Sequence, residues 1–448
     1  MKVSPQYLFC QFLLCTLGSF SATATLAQAQ QLDLTWRGDL AVTQAQITPD
    51  NTLNTQVNSD GNVSEITGGQ TRGENLFHSF QDFSVLTGNE AFFDNANNIS
   101  NIFSRVTGGN ISNIDGLIRA NGSASLFLIN PNGIIFGENA QLNIGGSFLG
   151  STASSILFEE GEFSATDLDT PPLLTINAPI GLGLEDNPGE IVNRSTGLEV
   201  SSVNNLSLVG GKIEFEGGNV TASGGNVELG GLSTAGTIGI SEDGSLIFPD
   251  DVAKADLTLS NGAEVDVIGA GGGNITVNAR NLNLRASSLL RAGINQSSTS
   301  DDAQAGNIVI NLSENLTLDE SRIRNLVNEG GVGNSGSINI TTGSLETTNG
   351  GLIDASTFGQ GNAGLIDLSA SETISIDGES SNGFSSLVSS RVEAGAVGNA
   401  GGISINTDNL IVTGGGYIDA STFGQGDAGL IKITANDLTF EGETSEGF

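Results

Sequence analysis

Apolar residues in this chain recur at every second position in short runs, and Gly, Asn or Ser bounds each run. A period of two puts successive side chains on opposite sides of an extended strand. Apolar spacing of three and four, the mark of an amphipathic helix, is scarce. The clearest series is a Gly, one polar or variable residue, and then an alternating apolar strand. It starts at Gly273, Gly306, Gly336, Gly364, Gly401 and Gly429, at intervals of 33 (306 − 273), 30, 28, 37 and 28. The strands it opens are Ile275-Thr276-Val277, Ile308-Val309-Ile310, Ile338-Asn339-Ile340, Ile366-Asp367-Leu368, Ile403-Ser404-Ile405 and Ile431-Lys432-Ile433. A second strand follows, as at Leu282-Asn283-Leu284, Leu316-Thr317-Leu318, Ile374-Ser375-Ile376 and Leu438-Thr439-Phe440. Leu352-Ile353 and Tyr417-Ile418 suggest a third. Three short strands per unit predict a three-faced coil with variable outer loops. Stacked coils pair their strands at about 4.8 Å and bury the inward Ile, Val and Leu in one column. One coil alone cannot bury its apolar face, so the array is needed for stability. A longer identity, Ile353 to Gly361 recurring as Ile418 to Gly426, has an offset of 65 (418 − 353).

Ahead of the array, from Gln31 to about Gly197, the chain is a succession of short strands and turns. Its best-marked turn is Asn130-Pro131-Asn132-Gly133, between the apolar runs Leu126 to Ile129 and Ile134 to Phe136. Asn and Pro start turns, Asn tolerates left-handed backbone, and Gly supplies positive φ. Phe77, Phe80 and Phe83 recur every three residues. That spacing fits one face of a short helix, and equally an irregular turn of chain capping an apolar end. The end of a solenoid exposes unpaired backbone and core, so it must be capped. The Phe residues before 150 and the single Trp, Trp36, suit such a cap. His78, the only histidine, lies among phenylalanines and reads as structural, since a metal site would need further ligands. Thr170-Pro171-Pro172 and Ala178-Pro179-Ile180 form the most proline-rich stretch, and a boundary is expected near residues 190–200.

The first residues read as an export signal. Met1-Lys2 is a weakly charged start, and Tyr7 to Phe20 is an apolar core too short to span a bilayer comfortably. Thr25-Leu26-Ala27 and Ala27-Gln28-Ala29 both offer small residues for cleavage, with the cut expected after Ala29. Both cysteines, Cys10 and Cys15, lie in this leader, so cleavage leaves a chain without disulfide, thiol nucleophile or thiolate metal site. A lipid-modified Cys15 is disfavoured by Leu14, where a small residue is needed.

The chain has 448 residues with 63 Gly and a formal charge of −35. Such acidity repels nucleic acid and anionic membrane, which are set aside as partners. It also keeps exposed sheet faces from associating. Cation binding is the alternative use of the charge, but neither a helix-loop-helix calcium pattern nor a Gly-Gly-x-Gly-x-Asp array is found. No cofactor and no metal is expected.

The Asn130-Gly133 turn, the Gly73 to Val85 block, the Asn139 to Phe148 block, the leader and the repeats together resemble the filamentous-haemagglutinin family, the exported partners of two-partner secretion. The resemblance implies an all-β, right-handed parallel β-helix with an N-terminal cap. It also implies three segments: a signal peptide at 1–29, a secretion domain at 30–197 and a repeat shaft at 198–448, which stops partway through a unit. Either the chain is part of a longer protein, or its end is capped by something else. In the family an outer-membrane transporter recognises the secretion domain through its periplasmic domains and passes the protein through its barrel. Asn130, Pro131, Asn132 and Gly133 match one of the family's asparagine motifs. The other, Asn-Pro-Asn-Leu, falls near Asn95-Ala96-Asn97-Asn98, where Ala96 and Asn98 depart from the pattern, so only Asn95 and Asn97 carry over. These asparagines either stabilise turns or meet the transporter, and turn chemistry favours the first. The function implied is an exported surface filament, adhesin-like, with a surface carbohydrate or protein receptor as a further candidate partner. Two alternatives are a β-helical polysaccharide-active enzyme and the stalk of a contact-dependent toxin. An enzyme would want paired carboxylates with Arg or Lys on one face. Here Asp354 and Asp419 sit in identical repeats and the arginines are scattered, so no catalytic residue is assigned.

Overall fold

The computed structural model describes residues 47–442, and among these every regular element is a strand. The leader, Ala29 and Trp36 lie outside the described residues. The chain winds as a parallel β-helix whose three faces are ladders of residues from successive rungs. On the first face Leu206, Val227, Ile275, Ile308, Ile338, Ile366, Ile403 and Ile431 stand in register. On the second, Leu257, Leu282, Leu316, Leu345, Ile374, Leu410 and Leu438 do the same. The third carries Val220, Val265, Leu290, Ile323, Ile353, Val388 and Ile418. The anchors read from the sequence therefore stack one above another, and as far as Ile403 and Leu410 their inward side chains form one continuous core, while Ile431 and Leu438 are exposed. The coil runs unbroken past residue 197, since Leu198–Glu199 pairs onward with Asn219–Thr221.

The anchoring glycines are needed for space, and Gly273 also for its φ of 79°. A Cβ on Gly336 would overlap the carbonyl oxygen of Gly306 one rung below, and one on Gly364 would overlap that of Gly336. Asparagine side chains link the same corner. Asn274 Oδ1 accepts from the backbone N–H of Asn307 at 2.8 Å, and Asn307 Oδ1 from that of Ser337 at 2.8 Å. Asn205 and Asn226 continue this ladder downward. Each bond satisfies a backbone donor that the turn leaves out of the sheet.

At the N-terminal end the cap is built from antiparallel pieces. Thr55–Asp60 closes one edge by pairing with Val63–Gly68, while Gln70–Arg72 and Thr48–Pro49 cover Asn75–Asp82. Asn75–Asp82 is a strand, so both readings of the Phe77, Phe80 and Phe83 spacing, helix face and irregular turn, are corrected. Three-residue spacing in a strand sends Phe77 and Phe80 to opposite sides. Phe80 and Phe83 join the inner core, and Phe77 joins a second, outer core. That outer core exists because the chain leaves the coil twice. Ser155–Phe158, Gly161–Ser164 and Gly181–Leu184, then Gly236–Ile240 and Leu246–Ile247, form an antiparallel sheet. This outer sheet packs over the first face, on the stacked rings of Phe77, Phe103 and Phe127. The proline-rich stretch around Pro171 and Pro179 belongs to this excursion, between two of its strands.

Arg105 ties cap, coil and excursion together. It is 1% exposed and lies 4.7 Å over the Phe163 ring. It donates to Ser79 Oγ at 2.8 Å, to Thr52 Oγ1 at 3.1 Å and to the Ser164 carbonyl. Burial lowers its pKa, and the nearby Asp50 carboxylate opposes that. Burial pushes Asp50 up, but hydrogen bonds from Ser79, Thr52 and Thr107 outweigh it and hold its pKa below the usual value.

Candidate functional site

The turn Asn130-Pro131-Asn132-Gly133 forms the corner between a first-face strand, Ser125–Ile129, and a second-face strand, Ile134–Phe136. Asn130 is fully buried, and every polar group of its side chain is used. Its Nδ2 donates to the Asn110 carbonyl at 3.0 Å and to Ser112 Oγ at 2.9 Å, both one rung below. Its Oδ1 accepts from Asn132 N–H at 3.0 Å and Asn132 Nδ2 at 3.1 Å, which shapes the turn itself. Asn132 is exposed, yet its Nδ2 also reaches down to the Gly108 carbonyl at 2.7 Å.

The turn is equally tied to the rung above. The Pro131 carbonyl accepts from Gly189 N–H at 3.1 Å, and Ile134 N–H donates to the Glu190 carbonyl at 3.0 Å. Gly133 has φ of 128°, and a Cβ there would stand 3.0 Å from the Glu190 carbonyl. Glycine is therefore fixed by both backbone and space. Only a short amide side chain can close the turn and brace the preceding rung at once, which accounts for Asn at both positions.

Asn95 and Asn97 lie at a different corner, between Glu90–Phe93 of the third face and Asn101–Val106 of the first. The structure does not bring them into the Asn130 turn. Asn95 is 5% exposed and repeats the bracing pattern in the other direction. Its Oδ1 accepts from Asn121 N–H at 2.8 Å, and its Nδ2 donates to the Asn121 carbonyl at 3.1 Å. Asn97 is exposed. Of the four asparagines, Asn130 and Asn95 are buried braces, while Asn132 and Asn97 stand at the surface.

His78 is 1% exposed between Phe80 and Phe93, with Thr55 Oγ1 at 3.3 Å from Nδ1. Burial drives its pKa down to about 3, so it is neutral and structural at ordinary pH. Asp354 and Asp419 hold equivalent turns. Asp354 Oδ1 accepts from Ser356 N–H at 3.1 Å and Ser389 Oγ at 2.7 Å, and Asp419 Oδ1 accepts from Ser421 N–H at 2.8 Å. Sequence reasoning missed the asparagine ladder, although its signal was present. Asn205, Asn226, Asn274 and Asn307 each stand immediately before a first-face apolar strand.

Comparison with known proteins adds the following. A family model described as "TPS secretion domain" matches residues 45–277. Over 69 residues the chain is 38% identical to a heme/hemopexin-binding protein of Haemophilus influenzae, covering 15% of this chain and 7% of that protein. A second heme/hemopexin-binding protein of Haemophilus influenzae is 36% identical over 67 residues, again 15% of this chain and 7% of the relative. The matched stretch is thus a small part of these relatives' length. The crystal structure of the HMW1 secretion domain from Haemophilus influenzae superposes with a TM-score of 0.52 at 22% identity, covering 88% of this chain and 95% of that one. That likeness supports the parallel β-helix.

Proposed function

Since the chain belongs to the TPS secretion domain family, we propose that it is an exported, adhesin-like surface protein whose folded N-terminal region is the address read by an outer-membrane transporter. The family match over residues 45–277 carries this reading. It favours export over the polysaccharide-active enzyme and the toxin stalk, and the chain acts without catalysis of its own. The division between address at 30–197 and shaft at 198–448 is then one of role, because the coil continues across it. A carbohydrate or protein receptor at the cell surface is the partner of the exported form.

Within this reading Asn130 and Asn95 act through the fold, while the exposed Asn132 offers its side-chain carbonyl oxygen, and Asn97 its amide, to the transporter. The test is export in a cell carrying the matching transporter, with medium and periplasm assayed for the mature protein. Asn130→Ala leaves buried donors and acceptors unmatched, and should lower unfolding stability by about 2–3 kcal/mol and reduce export with it. Asn97→Ala should leave stability within about 0.5 kcal/mol, so any loss of export in that variant reports recognition. Secretion that needs no transporter would sink the reading.

A further inference from the structure

A cleft of about 350 Å³ opens between the first face and the turn at 241–245 that projects from the outer sheet. Its size falls in the lower part of the range of small-molecule sites, roughly 300–1,000 Å³. The floor is apolar. It is formed by Phe127, the half-buried last ring of the outer aromatic stack, with Leu149 and Ile240 beside it.

Around this floor stand polar groups with bonding capacity to spare. Ser125 Oγ accepts from Ser147 N–H at 3.1 Å, and Ser147 Oγ accepts from Asn205 N–H at 3.0 Å. Both hydroxyl protons therefore remain for another acceptor. Asn205 uses its Oδ1 to accept from Asn226 N–H at 3.2 Å, which leaves its amide N–H groups to donate. Asn101 spends its Nδ2 on Asn75 Oδ1 at 3.0 Å, which leaves its own carbonyl oxygen to accept. On the opposite wall Glu242 presents an exposed carboxylate, a strong acceptor.

We propose that this cleft is a saccharide site that takes a neutral or amine-bearing sugar. The lining sets donors and acceptors beside an aromatic ring, and a pyranose matches that combination with hydroxyls on its edge and C–H groups on its face. Water alone would satisfy the polar groups but would leave the apolar floor wet. Glu242 and its neighbour Asp243 repel uronates and sulfated sugars, as does a chain of charge −35. Asp243 Oδ1 is engaged by Ser241 Oγ at 2.6 Å and Ser245 N–H at 3.0 Å, which holds that carboxylate in the turn, while the exposed Glu242 carboxylate has both oxygens to offer. The site needs only the folded domain, so its failure would leave the export reading standing.

The test uses the full chain, with saturation-transfer NMR and calorimetry against cellobiose, N,N′-diacetylchitobiose, a glucosamine disaccharide and, as the anionic control, digalacturonic acid. At least one neutral or amine-bearing disaccharide should bind saturably and digalacturonic acid should not. Phe127→Leu keeps an apolar floor but removes the ring, and Glu242→Ala removes an exposed acceptor without touching the core. Each should raise the dissociation constant about tenfold or more. If Phe127→Leu loosens the outer core, Glu242→Ala still decides. No saturable binding to any of the neutral or amine-bearing probes, wild-type affinity in Glu242→Ala, or preference for digalacturonic acid would each overturn the proposal.

Discussion

His78 shows how far one residue's environment can move its chemistry. An imidazole surrounded by Phe80, Phe93 and Thr55 has nothing to stabilise a positive charge, and burial lowers its pKa from 6.5 to about 3. The unfolded chain takes up a proton near pH 6.5 and the folded chain does not. Its contribution to stability is therefore complete above pH 6.5 and is lost progressively as pH falls toward 3. Glu228 and Asp266, raised by burial, work in the opposite sense, losing stability as pH rises through the carboxylate range. The effect is thus isolated by comparing wild type with His78→Gln, which does not titrate. From pH 7 to pH 5 the stability of wild type relative to the variant should fall by about 2 kcal/mol, read from urea unfolding. A difference that stays constant would mean that the native imidazole takes up a proton. At this scale the sequence carried the turn chemistry of Asn130 to Gly133 and the structural character of His78. It did not carry the burial of Asn130, because Asn110 and Ser112 brace it from one rung away, a relation no local spacing displays.

Among elements, strands with a repeated pattern were legible and strands outside the repeat were not. Gly306, Gly336 and Gly364 mark their rungs because each must leave room for the carbonyl of the glycine below. The excursions had no such constraint. Their strands pair antiparallel within their own sheet, and prolines separate two of them, so they read as a junction rather than as a second layer. The spacing of Phe77, Phe80 and Phe83 misled for a related reason. A strand buried on both sides carries no alternation. The outer core has a mechanical centre in Phe103. It is fully buried, with its ring 5.1 Å from Phe77, 4.8 Å from Phe127 and edge-on to Phe158 at 5.4 Å. Phe103→Ala should cost about 3–5 kcal/mol, measured as a lower urea midpoint at unchanged slope. A cost below about 1 kcal/mol would show that the outer sheet collapses onto the gap and is not a rigid lid.

For the whole molecule, the outer sheet ties the early rungs together, and in the array beyond it, from Ile308 onward, each rung touches only its neighbours. Stability then sums over rungs and their interfaces, with no long-range closure to satisfy. The consequence is testable by surgery. Ile338 and Ile366 occupy the same position on successive rungs, an interval of 28 residues (366 − 338). Deleting residues 338–365 joins Ser337 to Ile366 and brings the first-face strand Ile308–Leu312 against the one beginning at Ile366, with the apolar register kept. One rung's core and the Asp354 turn are lost, but no face is turned outward. Deleting only residues 338–351 removes 14 residues (351 − 338 + 1) and sets a third-face strand, Leu352–Asp354, where a first-face strand belongs. We expect the whole-rung deletion to retain a β-sheet circular dichroism spectrum, cooperative unfolding and transporter-dependent export. The half-rung deletion should lose cooperativity and aggregate, because it strands apolar rows at the surface and leaves ladder groups unpaired. Loss of folding in the whole-rung deletion would show that the rungs are coupled beyond their neighbours, and the solenoid would then behave as one indivisible unit.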